Sequence, residues 1–259
     1  MALAPPNPIL APIMSPTPPP SSQDRLLEVL TRIAQSEGPI SAQALAQATA
    51  LPRSSLYRQL ARLKQWGFVQ EEEGLYAPGP MGLQLAQGFD TTSHLMQMAR
   101  MEMQRLVNQS HESVGLIVAV NDRAICLDML ESPQALRCSF EKGRSVPLRK
   151  GATAKCLLAH LPVTRREAQL ATWRDEAHDA QLPDAAQLAA IREAGFARSI
   201  NEVDEGVWGV SAPVFGAAQR LAGCMTLMAP IARGVVRENE FTQMVVVAAA
   251  RVSRLLHPG

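Results

Sequence analysis

The chain has 259 residues, 47% of them hydrophobic, and a formal net charge of +1. This length is enough for one large domain or two of ordinary size, and the balanced charge gives no global sign of a nucleic-acid or membrane partner. No apolar run reaches the ~18 residues of a membrane-spanning helix. Residues 1–20 contain eight prolines and lack the basic start of a signal peptide, so we predict a disordered Pro-rich tail on a cytoplasmic protein without membrane contact.

Residues 21–79 have the pattern of three short helices followed by a β-hairpin. The first helix has an apolar face that includes Leu27 and Ile33, Ser41 can cap the second helix, and Pro52 suits the start of the third. The hairpin consists of "FVQ", a turn around "EEEG", and "LYAPG". This order of elements predicts a winged helix-turn-helix domain.

The predicted third helix lies in "LPRSSLYRQLARLKQWGFVQ" and has two different faces. Leu56, Leu60 and Leu63 form an apolar stripe that we expect to pack on the first two helices. The opposite face is basic and rich in hydroxyl groups, so it fits either a solvated surface or a DNA major groove, where Arg can read guanine edges. The predicted DNA-binding residues are Ser41, Arg53, Ser54, Ser55, Tyr57, Arg58 and Arg62. Phosphates would repel the wing-tip carboxylates Glu71–Glu73, so we expect that tip to stay away from DNA.

The second half of the chain predicts an α+β domain over residues 93–259, after a linker helix over residues 80–92. A helix in "SHLMQMARMEMQRLVNQSHE" precedes three strands, "SVGLIVAV", "AICLDMLE" and "ALRCSFEKG". Helices are then expected around residues 152–160, 164–173 and 184–194. Two further strands, "GVWGVSAPVFG" and "LAGCMTLMAP", and a C-terminal helix complete the domain.

Three segments resemble the motifs of the IclR-type transcriptional regulators. "LPRSSLYRQLARLKQWGFVQEEEGLYAPG" is similar to the recognition helix and wing of that family, "VPLRKGATAKCLLA" to the floor of its effector pocket, and "GFARSINEVDEGVWGVSAPVF" to its third signature. The resemblance covers residues 22–257. It implies an α+β fold in which the winged helix-turn-helix is joined by the linker helix to a C-terminal GAF-like α/β sensor domain.

The resemblance also implies which residues contact the effector, between the sheet and the loop before the helix at residue 152. Carried over position by position, they are Cys138, Val146, Ala152, Thr153, Ala154, Ser199, Gly209, Thr226 and Met228. Relatives that bind small oxo acids have an acidic residue, a cysteine and a serine at the positions of Ser199, Gly209 and Met228. These replacements predict a larger, less polar ligand than glyoxylate, such as an aromatic or aliphatic acid.

The run "GATA" at residues 151–154 has two explanations that the sequence leaves open. Small residues let backbone N–H groups at a helix start approach a ligand carboxylate, but a tight loop also needs them. For Glu202 we favour stabilisation of a turn over a ligand contact, and for Lys155 a structural or dimer-facing role over covalent chemistry.

Together these features predict a ligand-responsive transcriptional regulator of a catabolic operon, without cofactor, metal or catalytic residues. Its predicted partners are double-stranded DNA with a palindromic operator, a small carboxylic acid, and further copies of itself in a homodimer or homotetramer. One alternative is an enzyme on a GAF-like domain, but no acid/base pair can be assembled, and Cys156 with His160 supplies only half a zinc site. The other is a redox sensor that uses Cys126, Cys138, Cys156 or Cys224, all in apolar stretches where burial makes thiols inert.

Overall fold

The computed structural model describes residues 21–176 and 182–257. The predicted tail at residues 1–20 therefore lies outside the described residues. The chain divides into two compact units, one ending at Gln87 and the other beginning at Gly88, and each has its own hydrophobic core. No helix in the described part of the chain is long and apolar enough to cross a bilayer.

The first unit is a helical triad with a small antiparallel sheet. Its elements are α1 (Ser22–Gln35), β1 (Ile40–Ser41), α2 (Ala42–Thr49), α3 (Arg53–Gln65), β2 (Val69–Glu72) and β3 (Leu75–Pro78). The strand order β1-β3-β2 places the hairpin beside the short strand that precedes α2. Ser21 caps α1 through a reciprocal capping box with Asp24, and Ser41 caps α2 by accepting the N–H of Ala44.

Two local expectations for the first unit were wrong. Leu27 is 59% exposed, whereas Val29 is fully buried beside Ile33, because residues four apart share a helix face and the core lies on the Val29 side. The hairpin turn is also shorter than "EEEG". Only Glu73 and Gly74 form it, with φ of 51° and 78°, as a two-residue turn that matches the twist of the strands requires.

The helix α4 (Pro80–Thr92) spans the boundary between the two units, and the second unit follows it. The helices of the second unit are α5 (His94–Ser110), α6 (Gly151–His160), α7 (Val163–Glu176), α8 (Ala185–Ala194), α9 (Ile231–Gly234) and α10 (Glu238–Leu255). Its strands are β4 (Ser113–Val120), β5 (Arg123–Leu130), β6 (Ser145–Pro147), β7 (Ala197–Ile200), β8 (Val207–Phe215) and β9 (Leu221–Pro230). They form one antiparallel sheet in the order β6-β5-β4-β9-β8-β7.

This sheet is covered on both faces, which makes the second unit a three-layer structure. On β8, alternate residues point to opposite faces: Trp208 and Val210 belong to the core shared with α5 and α10, while Ser211 contacts Thr153 of α6. A second core joins the other face to α6, α7 and α8. The α+β fold class predicted from the sequence is confirmed.

The predicted strand at residues 135–143 was wrong. Residues 131–144 form an irregular segment in which Glu131 accepts hydrogen bonds from Arg137 at 2.7 Å and from Ser139 at 2.9 Å. The free edge of β5 pairs instead with β6, in the register Ile125↔Ser145, so the earlier segment has no strand to pair with. The alternation of side chains along a segment indicates that it is amphipathic, but it does not show which strand, if any, the segment pairs with.

Candidate functional site: a basic helix and a cavity

The helix α3 is held in the first unit by its leucine stripe. Leu56, Leu60 and Leu63 are buried, as predicted. Gln59 is buried as well, and its amide donates a hydrogen bond to Ser22 Oγ at 3.4 Å. The sequence analysis missed this residue, although its spacing from Leu56 and Leu63 places it beside the stripe.

The opposite face of α3 is solvent-exposed and carries positive charge. Of the predicted DNA-binding residues, the exposed ones are Arg53, Ser54, Tyr57, Arg58 and Arg62; Ser55 and Ser41 are half-buried. The helix contains no acidic residue. Its three arginines form no ion pair with any residue that the structure describes, so their charges are available to an external anion.

One wing carboxylate is neutralised from within the unit. Lys64, in the last turn of α3, forms an ion pair with Glu71 on β2. The hydrogen bond from Lys64 lowers the pKa of Glu71 below its usual range, so Glu71 stays ionised at neutral pH. The wing therefore presents less net negative charge than its run of three glutamates suggests.

The second unit contains a cavity between the sheet and the N-terminus of α6. Its volume is ≈ 50 Å³, several times the roughly 10–15 Å³ that one water needs, so it has room for a small molecule. Eight of the nine effector residues expected from the resemblance line it: Val146, Ala152, Thr153, Ala154, Ser199, Gly209, Thr226 and Met228.

Cys138 is the exception, because it does not line this cavity. It lies in the irregular segment between β5 and β6, where Glu112 and Arg233 are its charged neighbours. The strand that was expected to carry it to the sheet does not form. Cys126 of β5 lines the cavity in its place, together with Ala124 two residues earlier on the same strand face. The alternation on this strand was the signal that could have identified both.

Three hydroxyl groups meet at the sheet side of the cavity. Thr226 Oγ1 lies 2.7 Å from Ser211 Oγ and 3.0 Å from Thr153 Oγ1, and the last two oxygens are 3.3 Å apart. Ser211 was not predicted; it is fully buried on β8, in register with Thr226 on β9. Each hydroxyl can donate or accept, so the three can hydrogen-bond to one another or one of them can hydrogen-bond to a ligand instead.

The N-terminus of α6 already has protein partners. Glu202 accepts the N–H of Gly151 at 3.0 Å and the Lys155 ammonium at 2.6 Å, and Ser199 Oγ accepts the N–H of Ala152 at 2.9 Å. Glu202 and Lys155 thus join the turn after β7 to α6, in agreement with the structural roles favoured for both. A carboxylate at a helix N-terminus is stabilised by the helix dipole, and here that carboxylate belongs to the protein.

Two family models match the chain. The bacterial transcriptional regulator IclR C-terminal domain matches residues 90–254, and the IclR helix-turn-helix domain matches residues 22–73. Together they leave little beyond the N-terminal tail and the segment around α4. The chain belongs to the IclR family.

Curated relatives and solved structures agree with this assignment. The chain is 26% identical over 244 residues to the transcriptional repressor IclR of Escherichia coli, covering 90% of this chain and 88% of the relative. It is 27% identical over 238 residues to the regulator BhcR of Paracoccus denitrificans, covering 89% and 85%. An IclR-family regulator from Brucella abortus has a similar fold, with a TM-score of 0.80, 19% identity and coverage of 91% and 92%. This IclR-family chain is therefore a transcriptional regulator and not an enzyme.

The thiols of this regulator are poorly suited to redox sensing. Cys126, Cys156 and Cys224 are buried. Burial raises the pKa of Cys126 to about 12 and that of Cys156 well above its ordinary value. Cys138 is half-buried, and burial raises its pKa as well. Since the thiolate is the reactive form, the geometry gives no support to the cysteine-based alternative.

Proposed function

We propose that this protein is an oligomeric regulator of a catabolic operon whose binding to a palindromic operator responds to a small organic acid. Residues 21–79 would bind DNA, residues 80–92 would form the linker helix, and residues 93–259 would bind the effector and hold the oligomer together. The observation that carries the proposal is the exposed arginine face of α3, which has no ion pair with any described residue, on a helix-turn-helix unit. A face of this width and charge can enter a major groove, and one such helix offers few contacts, so at least two copies are needed.

The cavity supports an effector of low polarity. Its wall includes Ile117, Val146, Val207 and Met228, and Gly209 leaves space beside Ser199. An aliphatic or aromatic acid would bury its apolar body against these side chains, which a molecule as small and polar as glyoxylate would not do.

The linker helix supports self-association. Leu83 and Leu85 of α4 are 65% and 58% exposed, and Phe89 is also exposed. Apolar side chains repeated along one exposed helix are typical of a surface that a second protein covers, and we propose that a second copy of this chain covers it in the homodimer or homotetramer.

A gel-shift titration with the DNA that flanks the coding region of this protein tests the proposal. We expect a specific shift with the wild type that is reduced at least tenfold in the Arg58→Ala/Arg62→Ala variant, because each lost base or phosphate contact weakens binding. A panel of small carboxylic acids should then contain one that changes the affinity.

The matched control removes two exposed arginines from another helix. Arg165 and Arg174 lie on α7, so Arg165→Ala/Arg174→Ala changes the net charge equally without touching α3. Equal loss of binding in both variants would mean that only general charge matters, and would contradict groove recognition by α3.

A further inference from the structure

We propose that Arg144 holds the acid group of the effector at the exposed end of the cavity, and that the effector is a monocarboxylate. This inference rests on the proposed effector site and specifies its ligand class. The effector carboxylate would then bind the Arg144 side chain. The N–H groups at the N-terminus of α6 would keep their hydrogen bonds to Glu202 and Ser199.

Arg144 is placed and oriented for this role. It lines the cavity, and its backbone carbonyl accepts the N–H of Cys126 at 3.0 Å, which fixes it beside a strand whose side chains form the cavity wall. Its guanidinium carbon lies 4.7 Å from the ring centroid of Phe140. Stacking on a ring occupies the flat face of a guanidinium but leaves its N–H edge open to a planar carboxylate.

Within the described residues, no ion pair occupies that edge. Arg144 forms none with the residues that the structure describes, although its neighbour in the same segment, Arg137, pairs with Glu131. An arginine that lines a cavity without a protein carboxylate is suited to a ligand carboxylate, since a charged partner there makes stronger hydrogen bonds than water does.

At the N-terminus of α6, in contrast, the first two N–H groups already have protein acceptors. Glu202 and Ser199 accept the N–H groups of Gly151 and Ala152. A Cβ atom at Gly151 would lie 2.6 Å from the Val203 side chain, so the turn after β7 sits directly against the helix start. A ligand carboxylate would have to displace Glu202, whose charge Lys155 already balances, and it would gain little over the contact it replaces.

The charges around the cavity favour a single negative group. Glu202 and Asp204 line the cavity together with Arg144. A ligand with one carboxylate can place it at Arg144, whereas a dianion would place a second carboxylate near Glu202 and Asp204, where like charges repel. Because Thr226 and Met228 are buried and Arg144 is exposed, the apolar body would point inward and the acid outward.

Titration calorimetry on the full chain tests this orientation with two pairs of probes, benzoate with benzamide and isobutyrate with isobutyramide. Each amide has the shape of its acid without the charge. We expect wild type to prefer at least one acid over its amide by about 10- to 100-fold. Arg144→Gln should reduce that preference to about threefold or less while amide binding stays constant, and Arg144→Lys should be intermediate because a lysine lacks the bidentate edge.

Arg137→Gln is the matched control, since it removes an arginine from the same segment that is already paired; it should keep the full preference. Thermal unfolding of each variant verifies folding. An acid preference that survives Arg144→Gln would overturn the proposal, as would failure of both acids to bind wild type. The gel shift separates the two ideas: if DNA binding persists in either case, the regulator stands and only the effector assignment falls.

Discussion

At the residue scale, the buried carboxylate Glu112 forms an ion pair with Arg233. Its side chain is 1% exposed, and Arg233 donates to both oxygens, at 2.5 and 2.9 Å. The same guanidinium donates to the carbonyl of Leu136 at 2.9 Å, which ties the irregular segment after β5 to α9. The hydrogen bonds to Glu112 raise the pKa of Arg233, so the guanidinium stays charged throughout the neutral range.

We expect Arg233→Ala to lower the free energy of unfolding of the second unit by about 2–4 kcal/mol. Removing Arg233 leaves the buried Glu112 carboxylate without a charged partner. The loss of unfolding free energy is expected at the lower end of the range for buried ion pairs because the guanidinium is 28% exposed. Urea unfolding followed by tryptophan fluorescence would measure it. Arg137→Ala removes an arginine from an exposed pair with Glu131 and should leave the urea midpoint unchanged; equal effects of the two substitutions would refute the role of burial.

At the element scale, α4 is exposed from Leu83 to Asp90 and contains two glycines, Gly82 and Gly88. Gly88 lies in its second half, and a Cβ atom there would meet nothing within 4 Å. Glycine in a helix interior costs about 0.5–1 kcal/mol relative to alanine. Because an alanine would fit at Gly88, this helix at the boundary between the two units is less stable than the same helix with alanine there.

Gly88→Ala should strengthen α4 without disturbing its surroundings. We expect amide hydrogen exchange of the neighbouring residues in α4 to slow by up to about fivefold, the equivalent of about 1 kcal/mol. Gly38→Ala serves as control, since Gly38 lies outside any helix and its added Cβ also meets nothing. Unchanged exchange in α4 of the Gly88→Ala protein would show that propensity does not limit this helix.

At the scale of the whole molecule, the salt dependence of DNA binding reports how many copies of α3 contact DNA. Each phosphate contact contributes about 0.9 to the slope of log K against log salt. If Arg58 and Arg62 both contact phosphate in two copies, Arg58→Ala/Arg62→Ala should lower the slope by about 3 to 4. A decrease of about 2 would mean two phosphate contacts, which the single variants Arg58→Ala and Arg62→Ala would assign to one copy or to one arginine in each of two copies, and no decrease would place both arginines away from the backbone. Fluorescence anisotropy between 50 and ~300 mM salt gives these slopes.

The sequence by itself determined those features that depend on neighbours along the chain. Leucines at helical spacing identified the buried and the exposed face of α3, and continuous apolar runs identified β4, β8 and β9, because local periodicity mirrors which face is buried. Family resemblance added the positions around the cavity, of which eight line it.

Only the tertiary structure decided which distant groups meet. It placed Ser211 within hydrogen-bond distance of Thr153 and Thr226, and Glu202 within hydrogen-bond distance of the N-terminus of α6. It left Cys138 outside the cavity lining. It also left Arg144 beside the cavity on Phe140 without an internal acid. These outcomes depend on strand pairing and on the path of the irregular segment before β6, which are set by contacts between residues far apart in the chain and leave no periodic signal in the sequence.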